Sequence, residues 1–435
     1  MPFSLRSFAP LAMLLLAPVG LGCSLAPEDV GDADATESSE AEISSVPQSV
    51  VERQSIGNCW IYAHASWLES LHQAATGETY DSSQSWQTYW HWFEQLVNGE
   101  TAGEEELQTG GWFRTSNYLT ERYGIAPEAA FIPEDVASEM SSRQKSALDR
   151  VNAEMKAGGR LATPTSRRNR RLVRQILDEA FQLSPEVRTQ MNKVFGTTAT
   201  RNLTTRSRTT GRLLANTEGT FIVRPTDFSV AYTRFDAATR TSVPVSTTLA
   251  QAMIDWRSAY YSTWNGRSTL IRVQRALHDR QPVVASWFVD FNAMSNFDQP
   301  GAPRGSFTKT LLDRSGPGRQ GGHMTVFHDY EARLANGELL AAGIDLDRVA
   351  DADKLEAALD PSTTIVKLRV KNSWGSARAD RGFVPELPGY HDLHLDYLNG
   401  PIQACTETEN LKPLEERGCT MRRTPLNEVI LPPGY

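Results

Sequence analysis

Apolar and polar positions along the chain fall into separate patterns, each predicting a different element. Residues 11–21 form a short apolar run interrupted by Pro18 and preceded by the positive charge of Arg6. A membrane-spanning helix needs about 20 apolar residues, so this run predicts an export signal over 1–23 rather than a span. Residues 24–45 are acidic and rich in Ser and Ala, with too few apolar side chains to form a core, and read as a disordered tether. The first strong pattern starts at Gln54. Gly57 and Asn58 suit a tight turn, and Trp60, Ala63, Trp67 and Leu71 then recur at helical spacing, which puts Cys59 in the first turn of a buried helix. Residues 321–327 and 370–375 have strand character, and 220–232 alternates enough to predict strands. From Arg167 through Leu177, Ala180 and Phe181 the spacing again predicts a helix.

Composition narrows the class. With 40% hydrophobic and 22% charged residues over 435 positions, the chain is long enough for a substantial core and unlike collagen, coiled-coil or wholly disordered sequences. A net charge of −8 argues against a protein built to coat nucleic acid or an anionic membrane, so no specific nucleic-acid partner is expected. Positive charge is local: Arg167, Arg168, Arg170, Arg171 and Arg174, then Arg201, Arg206, Arg208 and Arg212. Such runs are usually solvated faces; the sharper expectation is a polyanionic partner there. Leu21-Gly22-Cys23 resembles the end of a bacterial lipobox, with Gly20 where Leu is usual. That implies lipidation of Cys23 and contact with a membrane through the lipid alone, in the cell envelope; the alternative is cleavage of an ordinary signal near Ala26 and secretion.

Cys59 carries the first candidate chemistry. The positive end of a helix favours thiolate over thiol and makes a cysteine nucleophilic, although a lone buried cysteine is more often structural. Downstream, Gly321-Gly322-His323-Met324 is followed by Asn372-Ser373-Trp374-Gly375. In this order the motifs resemble the papain-like cysteine peptidases, whose signature is a Gln loop, a Gly-x-Cys-Trp helix start, a strand His and Asn-Ser-Trp-Gly. Gly110-Gly111, followed by Tyr123-Gly124-Ile125 and Glu128, resembles the family's cleft-lining Gly-Gly segment. Pro282-Val283-Val284-Ala285 resembles the strand that opens its β-barrel half, and Gly382-Phe383 stands where it has Gly-Tyr. The likeness covers about half the chain. Its departures are Asn58 and Met324 for small residues, Arg378 for a second Trp, and a Gln54-to-Cys59 interval one residue shorter than usual.

The resemblance implies an α+β fold with a helical lobe over 46–135, an inserted and mainly helical subdomain over 136–264, and an antiparallel β-barrel lobe over 265–390. A C-terminal extension follows over 391–435. It implies a hydrolase that cleaves peptide bonds in peptide or protein substrates without a cofactor or metal. Cys59 would be the nucleophile, His323 its ion-pair partner and acid, Asn372 the group orienting that imidazole, and the Gln54 amide with the Cys59 backbone N–H the oxyanion donors. Gly110, Gly111 and Trp374 would touch substrate, with Trp374 also shielding the His–Asn hydrogen bond. His64 and His72 point along the Cys59 helix, and His328 lies at an odd strand offset from His323, so none replaces it. His391, His394, Cys405 and Cys419 can be written as a zinc site, but in an exported protein a Cys405–Cys419 disulfide is the plainer reading, leaving Cys23 for lipid and Cys59 for catalysis. Residues 316–321 match a dinucleotide-loop pattern yet precede a strand, so they read as a loop. Two alternatives stay open: an aminopeptidase resembling bleomycin hydrolase, gated by a C-terminal arm over 430–435, and an inactive peptidase scaffold used as a binding module.

Overall fold

Helix α1 (Cys59–Thr76) opens the first lobe of the computed structural model, which describes residues 46–101, 103–343 and 351–435. The export signal, Cys23 and the acidic tether lie outside the described residues. α1 is buried on every face from Cys59 to Leu71, because α2 (Gln84–Asn98), α3 (Phe113–Tyr123), a hairpin and the sheet of the second lobe all pack against it. Ser83 caps α2 by accepting the Trp86 N–H at 3.1 Å. Trp86 and Trp90 on α2 anchor the lobe's core, with Trp90 stacked on Tyr123 at 3.9 Å. Among the described residues no helix is long and apolar enough to cross a membrane.

Segment 136–264 contributes helices Gln144–Met155, Arg170–Ala180 and Pro185–Phe195. Their apolar faces, through Val151, Val173, Leu177 and Phe195, belong to the same core as Trp67, Trp86 and Trp90. Helices this short gain their stability from packing, and α2 supplies the surface. The strands expected over 220–232 begin only at Ser229, where β1 (Ser229–Asp236) pairs antiparallel with β2 (Thr241–Thr248). The cationic run is partly internal. Arg167 is buried and donates to the carbonyls of Leu161, Met155 and Glu104, while Arg174 lies 3.6 Å from Asp178 against the rings of Tyr89 and Trp90. Arg170 and Arg201 donate to the Ala199 and Val194 carbonyls. These four satisfy main-chain and side-chain acceptors of the fold, so the face expected to meet a polyanion is reduced to Arg168, Arg171, Arg206, Arg208 and Arg212, which are exposed.

The second lobe is a sheet built from β3 (Arg257–Tyr260), β4 (Val283–Asp290), β5 (Ser306–Phe307), β6 (Gln320–Arg333), β7 (Leu339–Leu340), β8 (Thr364–Lys371) and β9 (Tyr390–His394), completed by a strand from the C-terminus. After β9 come the short pair β10 (Ile402–Ala404) and β11 (Met421–Arg423), then that strand, β12 (Leu426–Leu431). The sheet order is β3-β12-β4-β6-β8-β9-β5, with β7 on β6, antiparallel except for β5 beside β9. Strand alternation divides its side chains between two cores: Val284, Met324, Val326 and Ile430 turn into the helical lobe, and Ala285, Trp287, Phe327, Val429 and Leu431 into the sheet's own.

The C-terminal segment is part of the sheet. Residues 391–435 are no appendage, because β9 pairs with β8 and β12 lies between β3 and β4. Nor is 430–435 an arm lying in a cleft: Ile430 and Leu431 are strand residues, and the buried Tyr435 hydroxyl bonds Asp279 and Thr233. The Cys405–Cys419 disulfide is present and closes the loop between β10 and β11. Cys405 N–H also donates to Gln320 Oε1 at 2.7 Å, which ties that loop to the start of β6.

Candidate active site

Asn58 ends the lead-in to α1 and ties its start to two other helices, its Nδ2 donating to Thr88 Oγ1 at 3.0 Å and Gln144 Oε1 at 2.9 Å. A residue larger than usual before the cysteine therefore has a structural use. Next comes Cys59 at the first helical position, then Trp60, whose indole N–H donates to the Thr109 carbonyl at 2.9 Å. This bond draws the Gly110–Gly111 segment across the ring. A Cβ on Gly111 would lie 2.4 Å from the Trp60 ring, so only glycine lets the backbone pass there.

On the sheet side, His323 stands on β6 opposite Trp287 of β4, the two rings edge to face at 5.5 Å. Cys59 and His323 line one cavity between the lobes. Its helical-lobe wall is completed by Gly111 and Trp112, its sheet wall by Ser286, Trp287, Phe288, Gly322 and Met324, and its third wall by Arg423, Thr424, Pro425 and Asn427. Behind the imidazole, His323 Nε2 is 2.7 Å from Asn372 Oδ1, just past the end of β8. Trp374 stacks on the imidazole at 4.7 Å with planes 22° apart. His323 Nδ1 has no hydrogen-bond partner and is the nitrogen left for the cavity.

Burial pushes the His323 imidazole down to about 3; the Asn372 hydrogen bond opposes this and the nearby Arg381 and His391 add to it. The ring is therefore neutral in this state.

The two lobes are clasped next to the site. Gln54 N–H donates to the Ser373 carbonyl at 2.9 Å and Gly375 N–H to the Glu52 carbonyl at 3.1 Å. Beside them the buried Lys371 ammonium donates to Ser49 Oγ at 2.7 Å and, on α1, to Ser66 Oγ at 3.0 Å. Burial lowers the Lys371 amine and pushes the neighbouring Glu69 carboxyl up to about 7, with each charge favouring the other. This ties the end of β8, and so Asn372, to the helix that carries Cys59.

The structure thus brings Cys59, His323, Asn372 and Gly111 together. Trp374 is buried and covers the imidazole, outside the cavity lining. Gln54 is also outside that lining: its carbonyl takes the Ser373 hydroxyl at 2.7 Å and its amide donates to the Ile56 carbonyl at 2.8 Å. Residues 423–427 were missed as cavity residues, since Arg423-Thr424-Pro425 carries no local pattern and is placed only by the strand that follows. His64 and His72 are held by Asn117 and by the Ser229 carbonyl, away from the cavity. The residues of the zinc alternative are engaged otherwise: Asp392 with Arg369 and Lys367 at 2.7 and 2.6 Å, His391 with Asn372, and the two cysteines with each other.

No family model and no curated protein matches the chain. Among solved structures it is similar to xylellain, a cysteine protease from Xylella fastidiosa, at 13% identity and a TM-score of 0.33, over 95% of this chain and 96% of that one. It is similar to the cysteine protease and lectin-like domains of Cwp84, a surface-layer-associated protein of Clostridium difficile, at 10% identity and a TM-score of 0.33, over 94% and 55% of the respective chains. It is also similar to a recombinant stem bromelain precursor at 13% identity and a TM-score of 0.28, over 95% and 77%.

Proposed function

We propose that the chain is a papain-like cysteine peptidase with Cys59 as its nucleophile. One observation carries the reading: the His323 ring has Nε2 held by Asn372 and an unpartnered Nδ1, at a cavity it shares with the cysteine that opens α1. In the mechanism, Nδ1 takes the thiol proton and the helix start stabilises the thiolate. The thiolate sulfur attacks the scissile carbonyl carbon, and the carbonyl oxygen becomes an oxyanion. Donors for it are the Cys59 backbone N–H and the N–H that the Gln54 amide retains beyond the one given to Ile56. The imidazolium then protonates the leaving amine as the C–N bond breaks, giving a thioester. Water, deprotonated by the neutral ring, hydrolyses that thioester and restores the thiol.

Covalent labelling with an epoxide probe tests this. Labelling is expected of the wild type under reducing conditions and is expected to be lost in C59A. A folded, reduced protein that takes no label and cleaves no peptide in a library would favour the binding-module alternative.

We further propose that Cys23 is lipidated and anchors the enzyme in a bacterial envelope. The support is Leu21-Gly22-Cys23 at the end of the apolar run and the acidic tether after it. C23S should move the protein from the membrane fraction to the soluble fraction; a wild-type protein found wholly in the culture fluid would contradict the anchor.

A further inference from the structure

We propose that His391 is a positioning residue that sets which way round the Asn372 amide lies, and through it which nitrogen of His323 carries the proton. The inference deepens the peptidase reading and rests on it for its kinetic readout. The Gly382 carbonyl can only accept, so His391 Nε2, 2.8 Å away, must donate to it. A neutral imidazole protonated on Nε2 has a bare Nδ1, which can only accept. Asn372 Nδ2 lies 3.2 Å from that nitrogen and donates to it. The amide oxygen is then turned to His323 Nε2 at 2.7 Å, where it also receives the Ser373 N–H at 2.8 Å. His323 Nε2 therefore holds the proton and Nδ1, facing the sulfur's cavity, is the base. Starting from one backbone carbonyl, each group in this chain allows a single choice for the next.

The carbonyl at its origin is rigid. A Cβ on Gly382 would lie 2.3 Å from the Ser295 carbonyl oxygen, and the Gly382 N–H donates to Asn296 Oδ1 at 2.7 Å. His391 itself sits on β9 opposite Val370 of β8, two residues before Asn372, with the Trp374 ring edge-on at 5.1 Å. Burial pushes its imidazole down to about 4; the Gly382 hydrogen bond and Asp392 oppose this, and Arg381 adds to it. The ring stays neutral through the range where a peptidase of this kind would work. Of the charges near it, Asp392 is engaged by Arg369 and Lys367, and Arg381 lies over Trp374 at 4.5 Å.

Removing the His391 acceptor leaves the buried Asn372 Nδ2 without its partner. In the reversed orientation the amide would present N–H to His323 Nε2, which would then have to be bare. An imidazolium, protonated on both nitrogens, fits only the observed orientation, so the thiolate–imidazolium pair would weaken. Ser373 N–H opposes the reversal and makes the expected loss partial.

The test compares reduced full-length wild type with H391N and H391L, confirming fold by thermal melting. Asn Oδ1 falls close to the place of His Nδ1 and keeps an acceptor for Asn372; Leu does not. H391L should lose about tenfold in kcat/KM with little change in KM, and H391N should stay within about twofold of wild type, as expected when a buried donor loses or keeps its partner. Independently of turnover, alkylation of Cys59 by iodoacetamide should require higher pH in H391L and follow wild type in H391N. A folded H391L with a wild-type alkylation profile, or H391N as impaired as H391L, overturns the proposal. If wild type cleaves no peptide, the peptidase reading fails while the alkylation profile still judges His391. If H391L does not fold, H391Q, which can reach Gly382 but has no acceptor at the Nδ1 position, takes its place under the same criteria.

Discussion

C59A and H323A are each expected to lower kcat/KM on a peptide substrate by on the order of 10⁵-fold, and the double variant to be no worse than either alone, because nucleophile and base act as one unit. N372A should cost about 10²-fold, the scale of a misplaced rather than a missing group. The reason for the gap is geometric. Without the Asn372 oxygen at 2.7 Å, His323 is still held by the stacked Trp374 and the facing Trp287, so the ring stays in place but its protonated form loses an acceptor. Steady-state kinetics on reduced protein check this. Turnover by C59A within tenfold of wild type would exclude the thiol mechanism.

Deletion of residues 428–435 is expected to unfold the protein rather than to release a gate. The deletion removes most of β12, which supplies ladder hydrogen bonds to both β3 and β4 and buries Val429, Ile430 and Leu431. Burying side chains of this size is worth roughly 1.5–3 kcal/mol each, and the buried Tyr435 adds to the total. Against a whole-domain stability of about 5–15 kcal/mol, that loss is decisive. The expected observation is loss of the cooperative melting transition and of Cys59 labelling together. A truncated protein that melts like wild type and gains endopeptidase activity would restore the arm. The same region forms one wall of the cavity through Arg423, Thr424, Pro425 and Asn427, so its contribution to the site depends on the strand being in place.

Elements set by neighbouring residues are legible in the sequence. The helix at Cys59, the strand at His323, the Gly-Gly segment and the Asn-Ser-Trp-Gly run are each specified by a few adjacent side chains, and the structure puts them where those local patterns predict. Readings that depended on distant partners fared differently. Val429-Ile430-Leu431 has the same apolar character in a docked arm as in a central strand; the choice is made by β3 and β4, far earlier in the chain. Arg167 and Arg174 look like surface charge until carbonyls and rings of other helices close around them. Trp374 could be given either a shielding or a substrate-touching role, and only the fold shows its ring stacked on His323.

The sequence by itself determined the chemistry on offer: a cysteine at a helix start, a histidine on a strand, an asparagine beyond another, and a pair of C-terminal cysteines suited to a disulfide. Helix and strand periodicity, turn residues and caps act over a few positions, so they are legible in a single chain. Only the tertiary structure decided that Trp60 holds Gly111 at the cavity, that the inserted helices share the first lobe's core, and that the C-terminus completes the sheet. It also decided how the His391, Asn372 and His323 side chains face one another. Those outcomes depend on pairings across tens to hundreds of residues, where several partners satisfy the same local pattern and burial and hydrogen bonding select among them.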